Sequence, residues 1–305
     1  MDAPLFATSC LYSGSLDHPI YLDVLTPTRG DAGKLPMLML HGAFHTGSAY
    51  LTTPDGRPGW APYFASHGRP VYVMDWPGHG RSPATADFHL LSGEDIVRST
   101  TEAIKEIGPC ILLAHSAGGP IAWRLAEILG EHVRGIVGIA PGGPANLQRP
   151  LPDDPELIHS LRDDEEAGCP IYADPTRPFL VDMAFIRAYW ANTPRFPAAA
   201  IERYARSIVA ESPRILNERF RIGGSGLMLD APAAIGSSRP VLILTGERDP
   251  RHPRETDERV AHYLNGEYCY LPDRGIFGNG HMLMLDDNSD DLAALIDHWL
   301  SSRGI

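Results

Sequence analysis

The sequence predicts an α/β chain: a mostly parallel central sheet, flanked by helices and carrying an inserted, mainly helical cap. Three observations lead there. Short apolar runs without polar alternation recur along the chain, the pattern of parallel strands buried on both faces. Segments with near-helical apolar spacing lie between them. One long stretch, 142–238, is rich in proline and charge and breaks this alternation before it resumes.

Taken in order, FATSCLYSG (6–14) and PIYLDVLTP (19–27) alternate in polarity and predict an antiparallel edge hairpin. LPMLML (35–40), RPVYVMDW (69–76), CILLAH (110–115) and VRGIVGIA (133–140) read as buried parallel strands, and PVLILTG (240–246) as a later fifth. Helices are expected over 92–107, 119–129 and 289–302. Within the interruption, MAFIRAYWA (183–191) and AAAIERYARSIVA (198–210) look helical. The expected organisation is therefore one core, 1–141 with 239–305, and one cap, 142–238.

Composition excludes several classes. With 305 residues, 43% hydrophobic and 21% charged, the chain is neither disordered nor fibrous. Its 26 basic against 38 acidic residues give −12, and no Lys/Arg run offers the stripe that nucleic acid or an anionic membrane surface would need. The longest apolar runs are strand-sized, too short to span a bilayer. MDAPLFATSC at the start has no basic segment or long apolar run of a secretory signal, so the cytoplasm is expected. Cys10, Cys110, Cys169 and Cys269 are scattered, which predicts reduced thiols rather than a disulfide framework or a zinc site.

The sharpest motif is Ala114-His115-Ser116-Ala117-Gly118, at the end of a buried strand and the start of a helix. Small residues two before and two after a serine suit a strained strand-to-helix turn that presents the hydroxyl. The same five residues also suit a plain N-capped turn. Chain order separates the two readings. Asp249 follows the late strand in VLILTGERDP, where open parallel sheets build their sites. His281 sits in GNGHMLML, a glycine-bounded loop before the last helix. Glu247 is the alternative acid; Asp273 and Asp286 lie nearer the histidine in sequence but lack the strand-end position.

Over nearly its whole length the chain resembles the α/β-hydrolase superfamily, on four sets of residues. His41-Gly42 after LPMLML resembles the family's oxyanion loop, and Asp75-Trp76-Pro77-Gly78-His79-Gly80-Arg81-Ser82 its D-x-x-G-x-G-x-S turn. The serine turn, with Ala114 in place of the usual first glycine, and the histidine loop complete the set. HGAFHTG, TPDGRPGW and GNGHMLMLDDN are similar to a smaller group of bacterial esterases. One departure concerns the acid: some members carry it at the end of the strand before the cap, and here that strand ends at Ala140 with no carboxylate.

The resemblance implies Ser116 as nucleophile, His281 as general base and Asp249 as its orienting acid. The oxyanion hole would be the amides of Ala117 and Ala43, with Phe44 the alternative to Ala43. Phe44, His115, Met282, Tyr189 and Trp190 are the expected substrate contacts, with Met284 a further apolar wall residue. Arg187 and Arg195 could meet a substrate carboxylate, although exposed helix arginines usually do not. His41 is expected to order the oxyanion loop and His115 to be a packed side chain as readily as a ligand contact.

No metal and no cofactor is expected, because neither HExxH spacing nor a phosphate-binding glycine motif occurs. The expected activity is serine hydrolysis of a carboxylic ester or lactone, small to medium and largely apolar, through an acyl-enzyme. A cofactor-free lyase or oxygenase, a carbon–carbon or amide hydrolase, and a ligand receptor are the alternatives on this scaffold. The partner is then a small molecule, with no nucleic acid and no membrane, and assembly as a homodimer stays open.

Overall fold

The computed structural model describes residues 4–29, 33–164 and 168–305. Its centre is an eight-stranded sheet: β1 (Phe6–Gly14), β2 (Pro19–Pro27), β3 (Met37–Leu40), β4 (Val71–Asp75), β5 (Cys110–His115), β6 (Val133–Ile139), β7 (Val241–Thr245) and β8 (Glu267–Tyr270). The order across the sheet is β1-β2-β4-β3-β5-β6-β7-β8. β1 and β2 pair antiparallel in one unbroken register, Phe6 opposite Pro27 to Gly14 opposite Pro19, as the alternating sequence predicts. β2 meets β4 antiparallel, and every pairing from β4 to β8 is parallel.

Strand periodicity divides the core in two. Met37, Met39, Ile111 and Leu113 point into one apolar cluster, with Phe64 of the Trp60–Ser66 helix and Ile296 of the Ser289–Ser302 helix. Leu38, Leu40, Leu112 and Ala114 point into the other, with the helices Gly93–Ile107, Gly118–Leu129 and Arg254–Tyr263. These strands carry apolar side chains on both faces because helices cover both. Ser92 caps its helix reciprocally with Asp95, which fixes where that helix begins.

Two elements escape the apolar pattern. β8 reads EYCY, with only Cys269 fully buried, so its alternation is too short to register. The Arg254–Tyr263 helix buries just Asp257, Val260 and Ala261.

Between β6 and β7 the described residues add no strand to the sheet. It folds into short pieces whose Ile186, Trp190, Phe196, Tyr204 and Leu216 bury into the first cluster. The helix expected over 198–210 stops early: a tight turn at Ala198–Ala200 leads into a helix of only Ile201–Ala205. Beyond it, Glu211 pairs through both backbone groups with Phe179, and Val209 N–H donates to Phe44 O. These tertiary partners replace the helical hydrogen bonds. The segment 183–191 is one α-turn, Met183–Phe185, widening into a π-turn, Ile186–Trp190, closed by Ala191 N–H on Ile186 O.

Candidate active site

β3, β5 and β7 end on the same edge of the sheet, and the loops that leave them meet there. At the end of β5 the chain turns into the Gly118–Leu129 helix through Ser116, at φ +51°. Its backbone is fixed on all sides: Ser116 N–H donates to Ile139 O, while Ser116 O accepts from Gly119 and Gly142. A Cβ at Gly118 would stand 2.9 Å from His41 O, so the glycine at the turn's end is required by the neighbouring strand. Gly42 is under the same constraint, since a Cβ there would stand 2.9 Å from Ser116 Cβ.

The serine hydroxyl donates to His281 Nε2 at 3.0 Å, and His281 Nδ1–H donates to Asp249 Oδ2 at 2.6 Å. Asp249 Oδ1 accepts Arg251 N–H. Burial works against ionising Asp249, but His281, His252 and that amide outweigh it and hold the carboxyl below its usual range. His252 stacks on His281 with centroids 5.2 Å apart and is itself fixed by Asp257 at 2.9 Å.

The other carboxylates considered from sequence take supporting positions. Glu247 accepts Gly278 N–H, bracing the histidine loop, and Asp286 accepts from Asn279 and Gly280 in that loop. Asp273 pairs with Arg254. Gly246 allows the histidine loop close, because a Cβ there would stand 2.6 Å from Asn279 O and Gly280 O.

The His41-Gly42 loop is braced from two directions. His41 Nδ1 bonds Gly42 O, its Nε2 accepts Trp76 N–H, and its ring stacks on Trp76. Asp75 accepts Gly47 N–H with one oxygen and Arg81 N–H and Nε with the other. The D-x-x-G-x-G-x-S turn thus anchors the loop that begins at His41-Gly42. From the opposite side, Phe44, at φ +66°, donates its N–H to buried Glu211 and accepts Val209 N–H on its carbonyl. Among the described residues the Ala43 and Ala117 amides have no hydrogen-bond partner, and both residues line a cavity with Ser116 and His281.

His79 Nδ1 faces Pro77 O at 3.0 Å and its Nε2 faces Glu211 at 3.1 Å. Both ring nitrogens therefore face acceptors, which suits an imidazolium. Burial opposes that charge, yet Glu211, Pro77 and Asp75 raise His79 above its ordinary value. His45, between Ala43 O and Tyr204 OH, is pushed down to about 4 by burial. His115 donates from Nε2 to His281 O, and burial with nearby His281 holds it well below the usual range.

The cavity at Ser116, about 60 Å³, is walled by Phe44, His115, Phe185, Trp190 and Phe220. Phe44, His115 and Trp190 thus stand where the sequence suggested. Met282 and Met284 do not: both are buried in the core, because the loop after His281 turns inward to pack. Tyr189 lies away from the serine, in a neighbouring cavity of about 510 Å³ that shares Arg219, Phe220, Arg251 and His252 with the first. Arg187 is exposed, and Arg195 is spent on Phe277 O and Asp287. The arginines at the site are Arg219 and Arg251, which no local sequence pattern marks.

Among the described residues no group of three metal-ligating side chains occurs, and no helix is long and apolar enough to cross a membrane. A fungal protein (strain ATCC 74256) named "Probable secreted lipase phiG" is 25% identical over 369 aligned positions, covering 99% of this chain and 92% of that protein. An esterase from Exiguobacterium antarcticum superposes with a TM-score of 0.67 at 17% identity, covering 95% of this chain and 98% of that one. A malate-bound thermophilic esterase from Thermogutta terrifontis gives 0.63 at 18%, covering 97% and 98%. At these identities the two structures speak to fold alone. A sequence model described as "Alpha/beta hydrolase family" matches residues 37–295, and the chain belongs to that family.

Proposed function

We propose that the protein is a serine hydrolase that cleaves a carboxylic ester or lactone through an acyl-enzyme. The observation that carries this reading is the unbroken hydrogen-bonded line from Ser116 through His281 to Asp249, ending on a strained serine at a cavity wall. A serine hydroxyl is a weak nucleophile until a base removes its proton. Ser116 Oγ bonds to the carbonyl carbon while its proton passes to His281 Nε2. Collapse of the tetrahedral intermediate expels the alcohol oxygen, which takes that proton. Water then repeats the sequence on the acyl-serine, returning Ser116. Asp249 fixes the imidazole tautomer and balances the imidazolium.

The amides of Ala43 and Ala117 are the proposed oxyanion donors, each worth about 3 kcal/mol at the transition state. Phe44, the alternative donor, has its amide committed to Glu211. Phe44, His115 and Trp190 are the proposed substrate contacts. The division into a core of 1–141 and 239–305 and a cap of 142–238 agrees with the absence of sheet strands between β6 and β7. Cys10, Cys110 and Cys269 are free thiols, which favours the cytoplasm, although the fungal relative is called secreted.

Intact-mass analysis after treatment with a fluorophosphonate tests the nucleophile without the natural substrate. One adduct, mapped to Ser116 and lost in His281→Ala, is expected. An adduct elsewhere, or none on a protein that is folded by circular dichroism, removes the serine mechanism and shifts weight to proton-transfer chemistry or ligand reception.

A further inference from the structure

In a chain with 38 acidic residues against 26 basic ones, counter-charges are plentiful, and of the described arginines that are at least partly buried, Arg57, Arg124 and Arg195 pair with carboxylates while Arg221 and Arg239 donate to carbonyls. Arg69, fully buried, is held by Asp297 and two carbonyls. Arg219 and Arg251 differ. Both are partly buried, and neither guanidinium has an ion pair or hydrogen bond among the described residues. Instead both lie over one ring, that of Phe220, each 5.4 Å from its centroid, and Arg251 also lies 5.4 Å from that of Tyr189.

Both line the Ser116 cavity and the larger one beside it. The nearest acids are occupied: Asp249 holds His281, and Asp257 holds His252 and Thr245. Burial and, after it, the charge of Arg251 bring Arg219 down to about 10 against the opposing pull of Asp257. Such an arrangement is costly in the free protein, since desolvated like charges repel. A ring contact leaves a guanidinium's N–H groups free to bond elsewhere, and a guanidinium recognises a planar oxyanion by paired hydrogen bonds.

Resting on the hydrolase reading above, we infer that Arg219 and Arg251 form an anion subsite, and that the substrate is an ester whose acyl or alcohol half carries a carboxylate or phosphate group. Arg149 and Arg259 add positive charge to the wall of the larger cavity, which also carries Asp163. The expected substrate is then less apolar than the aromatic wall alone suggests.

The test separates binding from catalysis by using Ser116→Ala protein. Calorimetry compares monomethyl succinate, glutarate and adipate, and methyl 3-phosphonopropionate, with the matching neutral diesters. At least one anionic ester should bind more tightly than its neutral partner. That preference should fall about tenfold or more in Arg219→Met and in Arg251→Met, as loss of a charge-assisted pair implies. Arg251→Lys, which keeps the charge but not the fork, should recover part of it. Which arm responds, carboxylate or phosphonate, names the group.

Equal binding of anionic and neutral esters, or a preference unmoved by both substitutions in proteins that melt as the parent does, overturns the subsite. If the wild-type protein hydrolyses neutral esters while the preference is absent, only the subsite fails. If the preference is present while Ser116 takes no fluorophosphonate, only the hydrolase reading fails.

Discussion

Ser116 holds a left-handed backbone conformation that residues other than glycine rarely adopt, and its surroundings leave it no alternative. Three hydrogen bonds fix its peptide groups while the glycines at 42 and 118 let the end of the neighbouring strand β3 approach. The serine is therefore aimed by the scaffold, and His281 is aimed by Asp249. Asp249→Asn should keep the fold and lower ester turnover by about 10⁴, because an amide cannot hold the imidazole in the working tautomer. Steady-state kinetics decides it; if Glu247→Gln does the greater damage, the acid is misassigned. At this scale the sequence told much: serine, acid and histidine stand in the family's chain order. Met282 is packed into the core instead of lining the cavity, because adjacency to His281 says nothing about which way the next side chain turns. Arg219 and Arg251 were invisible because their meeting depends on the segment after β6 folding onto the loop after β7, a contact with no local pattern.

Among elements, the D-x-x-G-x-G-x-S turn is a brace whose glycines have separate reasons. Gly80 sits at φ +53°, and a Cβ there would stand 2.5 Å from Asp75 Oδ2. Gly80→Ala should cost at least about 1–2 kcal/mol from the left-handed backbone alone. It should also loosen Asp75's hold on Gly47, so Tm and kcat fall together; differential scanning calorimetry beside initial rates would expose an unchanged kcat, which would free the oxyanion loop from this brace. Strands and long amphipathic helices were legible because burial on one or both faces writes a period into the chain. The 198–210 segment was not, since its helical spacing yields after Ala205 to bonds with Phe44 and Phe179.

For the molecule as a whole, pH dependence follows from groups that are buried. His41, His45 and His115 are all held below their ordinary values by burial, so each takes up a proton on unfolding. Their stabilisation is full above about pH 6.5 and drains as pH falls below it. Asp286 acts in the other direction. Burial raises it to about 7, so the folded state keeps a proton that the unfolded chain has lost, and stability declines as pH rises from about 4 to 7. His79, raised by Glu211, adds stability below pH 6.5 that is lost as pH climbs through its higher folded value. Three histidines outweigh one aspartate on the acid side, so Tm should peak near neutrality and fall more steeply toward pH 5 than toward pH 8. Asp286→Asn, which keeps an acceptor for Asn279, should gain on the wild type as pH rises from 5 to 8. In a melting series across that range, parallel curves for the two proteins would contradict the Asp286 statement, and a wild-type Tm that does not fall toward pH 5 would contradict the first.

Phe44 has its amide on Glu211 and its carbonyl on Val209, so the loop beside the nucleophile is stitched to the insertion between β6 and β7. Lids are often regarded as interchangeable parts that set preference while a conserved chassis does the chemistry. Here an engineer who exchanged the insertion would also discard the clasp that shapes the loop after His41-Gly42, and a transplanted segment would need its own buried carboxylate opposite Phe44 and His79. If the proposed hydrolase reading holds, substrate range and catalytic competence would be inherited together, which would narrow the routes by which this insertion could be remodelled.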